Sequence, residues 1–379
     1  MARRARQLVD QRHEKYMRLA LALARKAIGC TSPNPMVGAV VVKRGRIIAT
    51  GYHRRAGFPH AEIEALYRSG ARARGATLYV TLEPCNHTGR TPPCCDAIIA
   101  AGISQVVAAT KDPNPMTNGR GLARLRRAGL RVTTGVLARE GQQLNAPFCK
   151  VMRWGLPFTV AKIGQSLDGK IATASGESRW ITSSASRRLG HQWRGQVDAI
   201  LVGINTVLQD DPLLSARGVR HRRGRPVKVI VDSRLRTPPS ARCLSSKSPA
   251  STLIATTVHV STRRRALARR GAEVITLHPR YGRVPLRVLF RILARRGIHS
   301  VLIEGGGEVL ASALTERLVD RAAFFVAPLL IGGRPAPGSI GGAGIRKLAD
   351  AVRFEDVIVS RVGTDWCIEG RVVYPRAFR

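Results

Sequence analysis

Apolar positions along the chain switch repeatedly between two spacings. Tyr16, Leu19, Ala20, Leu23 and Ala27 recur at helical spacing and predict an amphipathic first helix over Glu14–Ile28, behind a frayed basic tail. After the turn "TSPNP", extended apolar runs predict strands at "VGAVVVKRG", "RIIATGYH", "ATLYVTL", "SQVVAAT" and "LRVTTGV". Helices are predicted at "HAEIEALYRSG" and "CCDAIIAAG", with a small one before the last strand. Strands alternating with helices imply a layered α/β sheet.

"QQLNAPFCKVMRWGLP", Gln142 to Pro157, holds two prolines and a glycine and reads as a boundary. It predicts two domains, 1–150 and 151–379, as 379 residues exceed what one hydrophobic core usually serves. The second half alternates again, through "FTVAKIGQSLDG", "AILVGINTVLQDDP", "PVKVIVDS", "STLIATT", "AEVITLH", "SVLIEGGGEVLASAL" and "RAAFFVAPLLIGG". Its strands are continuous Val/Ile runs, as expected when helices cover both faces of a sheet.

Charge sharpens the picture only a little. Sixty-three Lys and Arg against 24 Asp and Glu give a formal charge of +39, which favours anionic partners such as phosphorylated substrates, nucleotides or nucleic acid. The arginines are scattered, with clusters at Arg217–Arg225 and Arg263–Arg270, and no aromatic interleaving marks a nucleic-acid surface. Compositional bias on solvated faces explains them, and no specific nucleic-acid partner is expected. Seven cysteines without disulfide-like spacing fit a reducing cytoplasm. No apolar run is long enough to span a bilayer, and the six-residue stretch between Arg18 and Arg25 is too short for a signal core.

The chemistry concentrates in "TLEPCNHTGRTPPCC", Thr81 to Cys95. His60 opens a helix after Pro59, with Glu62 two residues on, while Cys85 follows a strand and Cys94 opens the next helix. One His and two Cys leave a zinc ion a fourth position for water, the arrangement of a catalytic rather than a structural site. Zinc lowers the pKa of its water to about 7, and Glu62, not a ligand, is placed to shuttle the proton. Two alternatives stay open on the residues alone: Cys95 competes with Cys94, and His87 could close a structural site. Asn34 in "SPNP" is either a pocket residue or an Asx turn before Pro35.

H-x-E followed by P-C is the signature of zinc nucleobase deaminases, but the usual P-C-x-x-C is stretched here to a nine-residue step. In that variation, and in "SPNPMVGAVVV", "GYHRRAGFPHAE", "TLEPCNHTGRTPPC" and "KDPNP", the chain resembles the pyrimidine deaminases of riboflavin biosynthesis. The resemblance implies a cytidine-deaminase-like α/β/α domain with His60, Cys85 and Cys94 on zinc and Glu62 as the catalytic acid/base. It also implies substrate contacts from Asn34, His87 and Arg90.

"VLIEGGGEVLASAL" is a strand, a glycine turn and a helix, able to hold phosphate on bare backbone N–H groups. It is not G-x-G-x-x-G, and by itself it is a weak signal. "KIGQSLDGKIATASGESRWITS" and "DAILVGINTVLQDDPLLSAR" are similar to the reductase that accompanies this deaminase, whose fold resembles dihydrofolate reductase and whose cofactor is NADPH. The similarity implies cofactor contacts from Gly164, Trp180, Thr206, Asp210, Ser233 and the run Gly306, Gly307, Glu308, Val309, Leu310, Ala311 and Ser312. It implies substrate contacts from Ser178, Arg194, Leu214, Arg217 and Glu304. Arg194 and Arg217 can grip a sugar phosphate in bidentate fashion.

The expectation is a bifunctional enzyme that deaminates a pyrimidine ribosyl phosphate and then reduces its sugar, working as a homo-oligomer without a membrane. The rival reading is an RNA-binding zinc base deaminase with an accessory domain; the stretched cysteine spacing and the second α/β half count against it.

Overall fold

The computed structural model describes residues 2–88, 92–218, 225–244 and 251–375. The chain divides into two compact units between Gly155 and Leu156.

Unit 1 opens with α1 (Ala2–Arg25), followed by the hairpin β1 (Gly38–Lys43) and β2 (Arg46–Tyr52). Then come α2 (Ala61–Ser69), β3 (Thr77–Val80), α3 (Cys94–Ala100), β4 (Gln105–Ala108), α4 (Arg120–Arg127) and β5 (Arg131–Thr134). Helices α5 (Ala138–Leu144) and α6 (Ala146–Trp154) close the unit. The sheet order is β2-β1-β3-β4-β5, antiparallel across β1 and parallel from β3 to β5. Strand alternation splits β1 between two cores. Val40 and Val42 pack with Tyr16, Met17 and Ala20 of α1, while Ala39 and Val41 pack with Ala61 and Ala65 of α2 and Ile98 of α3. This is the expected α/β/α layering.

Two local expectations are corrected. Helix α1 runs through the basic tail instead of fraying, because Arg, Gln, Ala and Glu are strong helix formers, and it stops at Arg25 rather than Ile28. The stretch Gln142–Pro157 does contain the division at Gly155/Leu156, but it is largely helical rather than broken by its first proline: Pro147 lies in the first turn of α6, where a missing N–H costs nothing, and Gly155 caps its end in a left-handed conformation.

Unit 2 is built on a nine-stranded sheet, β6 (Phe158–Ser166), β7 (Ala199–Gly203), β8 (Val227–Val231), β9 (Thr252–Thr256), β10 (Ala272–Thr276), β11 (Ser300–Glu304), β12 (Arg321–Ala327), β13 (Arg353–Val362) and β14 (Asp365–Val373). The order is β10-β9-β8-β7-β11-β6-β12-β14-β13. It is parallel up to β12 and antiparallel across β14 and β13. The C-terminal hairpin is absent from the sequence reading. Helices α7 (Ser184–Arg194), α8 (Ile204–Asp210), α9 (Ser261–Arg269), α10 (Leu286–Arg295) and α11 (Gly307–Thr315) join the strands. Every residue of β7, β9 and β11 is buried, as their Val/Ile runs require. One face packs Leu201, Val229 and Ile303 against Phe290 and Leu293 of α10; the other packs Ile200, Ile230 and Ile254 against Leu267 of α9. No described helix is long and apolar enough to cross a membrane.

Candidate active sites

In unit 1 three ligand atoms meet where two helices begin. His60 is the N-cap of α2, with an extended backbone and no side-chain capping bond to the helix. Cys94 is the first residue of α3, and Cys85 lies in the loop after β3. His60 Nδ1 is 3.2 Å from Cys94 Sγ and 3.7 Å from Cys85 Sγ, and all three donor atoms lie within 4.8 Å of one another. Tetrahedral zinc, with bonds of about 2.0–2.3 Å, needs its donors about 3.5 Å apart, so this set fits the ion. The Cys94 N–H also donates to Cys85 Sγ at 3.3 Å. The contact with Cys94 pulls the Cys85 thiol down, and the same contact together with burial pushes Cys94 up.

Cys95 does not join them. It is fully buried, its Sγ lies 3.6 Å from the carbonyls of Pro84 and Gly121, and burial pushes its thiol up to about 12. Glu62, 4% exposed, is pushed up to about 7 by burial, against the pull of His60. That is where a proton carrier at neutral pH should lie.

Asn34 Nδ2 is 3.2 Å from Nε2 of His53, and the His53 ring meets His60 edge-on with centroids 5.4 Å apart. His53 is 2% exposed, with Nδ1 3.0 Å from the Pro59 carbonyl. Sequence reasoning passed over His53, although its place in "GYHRRAGFPHAE" is the signal that could have found it. His87 Nδ1 is 3.5 Å from Thr117 Oγ1. Arg90 lies outside the described residues, as do residues 219–224 of the arginine cluster.

In unit 2 a cavity of about 1410 Å³ opens at the C-terminal ends of the parallel strands, where open α/β sheets bind ligands. Every reductase residue singled out above lines it except Ala311, which packs instead beside Gly342. The glycine turn after β11 is tight for a stated reason. Gly305 and Gly306 have φ of +86° and +85°, and a Cβ on Gly305 would lie 3.2 Å from Thr206 Oγ1. A Cβ on Gly307 would lie 3.0 Å from the Gly341 nitrogen. The turn therefore presents bare backbone at the start of α11, a cradle suited to the pyrophosphate of a dinucleotide.

Trp180 is 65% exposed, with the Arg187 guanidinium 4.3 Å from its ring centroid, so it is not core. Ser178 Oγ donates to Asp210 Oδ1 at 2.6 Å. Leu214 is buried in the cavity wall with φ +48°. The bidentate face of Arg194 is turned to Glu304, not left open for a phosphate: Nε lies 3.0 and 2.9 Å from the two carboxylate oxygens, Nη2 completes the fork, and Nη1 donates to the Ser215 carbonyl. The guanidinium of Arg217 has no partner among the described residues and stays exposed. Lys162 was missed. It stands opposite Glu304 in the β6–β11 register, lines the cavity, and has its ammonium 5.3 Å from the Phe325 ring centroid. Burial lowers its pKa and Glu304 works against that. A lysine inside the apolar strand "FTVAKIG" was the available signal. Burial would raise Glu304, but Arg194 and then Lys162 hold it below its ordinary value.

A three-ligand zinc site with a buried glutamate, joined in one chain to an α/β unit with a dinucleotide-sized cavity, defines a deaminase fused to a reductase. Residues 10–110 match the cytidine and deoxycytidylate deaminase zinc-binding region, and residues 157–368 match the RibD C-terminal domain. The chain is 43% identical to the riboflavin biosynthesis protein RibD of Aquifex aeolicus over 361 residues, covering 95% of this chain and 99% of that one. The solved structure of Acinetobacter baumannii RibD superposes with a TM-score of 0.86 at 36% identity, covering 96% and 99% of the two chains. A Thermotoga maritima diaminohydroxyphosphoribosylaminopyrimidine deaminase/5-amino-6-(5-phosphoribosylamino)uracil reductase superposes at 0.83 with 34% identity, covering 96% and 99%. The chain belongs to the RibD family of bifunctional deaminase/reductases of riboflavin biosynthesis. Its cofactors are zinc in the deaminase half and NADPH in the reductase half. The RNA-editing alternative is not favoured.

Proposed function

We propose that unit 1 deaminates 2,5-diamino-6-ribosylamino-4(3H)-pyrimidinone 5′-phosphate and that unit 2 reduces the ribosyl chain of the product to ribityl. The observation that carries this is the open His60–Cys85–Cys94 set with buried Glu62 beside it, in a chain that also holds the strand-end cavity. The substrate is the one named for the Thermotoga relative.

Zinc held by His60, Cys85 and Cys94 supplies an acidified water. Glu62 moves a proton to the ring and the departing amine, so that water replaces the amino group and ammonia leaves. Asn34, fixed through His53, orients the pyrimidine, and His87 and Arg90 hold the rest of the substrate. In unit 2, NADPH supplies the hydride. Gly164, Trp180, Thr206, Asp210, Ser233 and the turn from Gly306 to Ser312 position it, with Ala311 acting through packing. Ser178, Leu214 and Arg217 hold the substrate, while Arg194 fixes the carboxylate of Glu304 next to Lys162.

Two coarser features complete the reading. Strand β13 lies at the sheet edge with Val357, Ile358 and Val359 exposed, which supports pairing of two copies there. None of the seven cysteines forms a disulfide, which supports a reducing compartment such as the cytoplasm.

Mass spectrometry of the purified protein acting on the diaminopyrimidine phosphate tests the assignment. Deamination without NADPH, followed by gain of two hydrogens with it, is expected. A zinc-loaded preparation that does neither would overturn it.

A further inference from the structure

We propose that Arg234 and Arg236, in the turn after β8, recognise the ribose 2′-phosphate of the cofactor and set the preference for NADPH over NADH. The inference rests on the reductase reading above. Along the sheet the strands run β8, β7, β11, β6. The glycine turn that suits the pyrophosphate follows β11, and Gly164, one of the cofactor contacts implied above, lies on β6 two residues after Lys162, which pairs with Glu304 of the substrate set, so the reacting nicotinamide end belongs at β6. A dinucleotide laid across these strand ends therefore puts its adenosine half toward β7 and β8.

The turn after β8 is chemically suited to a phosphate. An NADH site usually places a carboxylate there to accept from the ribose hydroxyls, whereas arginine at that place accommodates a 2′-phosphate. The acid present, Asp232, is fully buried, and its Oδ2 accepts from the N–H and hydroxyl of Thr237, each at 2.7 Å. Arg234 and Arg236 line the cavity and are exposed. Arg234 has no partner among the described residues; Arg236 donates to the neutral Asn205 amide oxygen at 2.8 Å and keeps its charge uncompensated. Across the cavity Arg283 differs, since its guanidinium is already paired with Glu308 at 2.9 Å. The two guanidinium groups of this turn, neither paired with a carboxylate, thus mark the adenosine end, and each can fork onto a phosphate.

Calorimetric titration of the full-length protein with NADPH and with NADH tests this apart from catalysis. The wild type is expected to prefer NADPH. Arg234→Ala/Arg236→Ala should weaken NADPH binding by about 10- to 100-fold, the usual range for losing charge-assisted hydrogen bonds. NADH binding should stay unchanged, which also shows that the fold is intact. Adenosine 2′,5′-bisphosphate should lose affinity in parallel with NADPH, and adenosine 5′-monophosphate should not. A wild type that prefers NADPH together with a double variant that keeps the preference would overturn the proposal alone. Equal weakening toward both cofactors would overturn it too. A wild type that binds NADH as well as NADPH would overturn the NADPH reading beneath it.

Discussion

Arg194, the last residue of α7, closes as a fork on Glu304, the last residue of β11, with Nε 3.0 and 2.9 Å from the two carboxylate oxygens. The pair is mostly buried, at 20% and 8% side-chain exposure, and Lys162 faces the same carboxylate from β6. Glu304→Gln would leave two buried cations facing each other. It should destabilise unit 2 by on the order of 3 kcal/mol, read by denaturant unfolding. Arg194→Lys keeps the charge but loses the fork, and should recover only part of the wild-type stability. If Arg194→Ala instead left stability untouched and cost only affinity for the sugar phosphate, Arg194 would be a phosphate ligand after all.

Glu62→Gln keeps the shape of the side chain and removes its proton chemistry. Zinc content should be unchanged, and deamination should fall by about 10²- to 10⁴-fold. Reduction of substrate that is already deaminated should continue at the wild-type rate. Loss of both activities would show that the two sites do not work independently.

Much of this was legible in the chain because the local rules agree with one another. The Val/Ile runs of β7, β9 and β11 are buried on both faces, and the His60–Glu62 and Cys85–Cys94 spacings carry their chemistry along the sequence. What escaped depends on contacts between distant segments. His53 matters because it touches Asn34, nineteen residues away, and Lys162 because β11 pairs with β6. The hairpin of β13 and β14 escaped because β13 is exposed along nearly its whole length and so shows no buried face. Helix α6 escaped because a proline in its first turn looks like a break when it is a start.

Cys94 and Cys95 are adjacent in sequence and face opposite tasks. Cys94→Ala should abolish stoichiometric zinc, measured by plasma mass spectrometry after dialysis. Cys95→Ala should retain zinc and cost about 1 kcal/mol of stability, as for any small buried side chain. Zinc retained in Cys94→Ala but lost in Cys95→Ala would reverse the assignment.

Arg217 is exposed at the cavity and its guanidinium has no partner among the described residues. Arg217→Ala should raise the KM for the sugar-phosphate substrate by about 10- to 100-fold and leave NADPH binding nearly unchanged. Equal weakening of both would remove Arg217 from the substrate site.

Gly38 marks the closest approach of α1 to the sheet of unit 1. A Cβ there would lie 2.0 Å from the Ala20 carbonyl oxygen and 2.9 Å from the Ala24 nitrogen. Both obstacles are helix backbone, so neither can rotate aside, and the helix would have to lift off β1. Met17, Ala20 and Leu21, all buried in that layer, would lose contacts together. Gly38→Ala should therefore cost unit 1 at least the roughly 1–3 kcal/mol typical of overpacked cores. Gly57→Ala is the matched comparison. Its φ is +88° but nothing lies within 4 Å of the added Cβ, so only backbone strain of about 1–2 kcal/mol applies. Denaturant midpoints of the two variants should rank Gly38→Ala clearly below Gly57→Ala. Equal midpoints would mean that α1 yields freely and is not held against β1 as described.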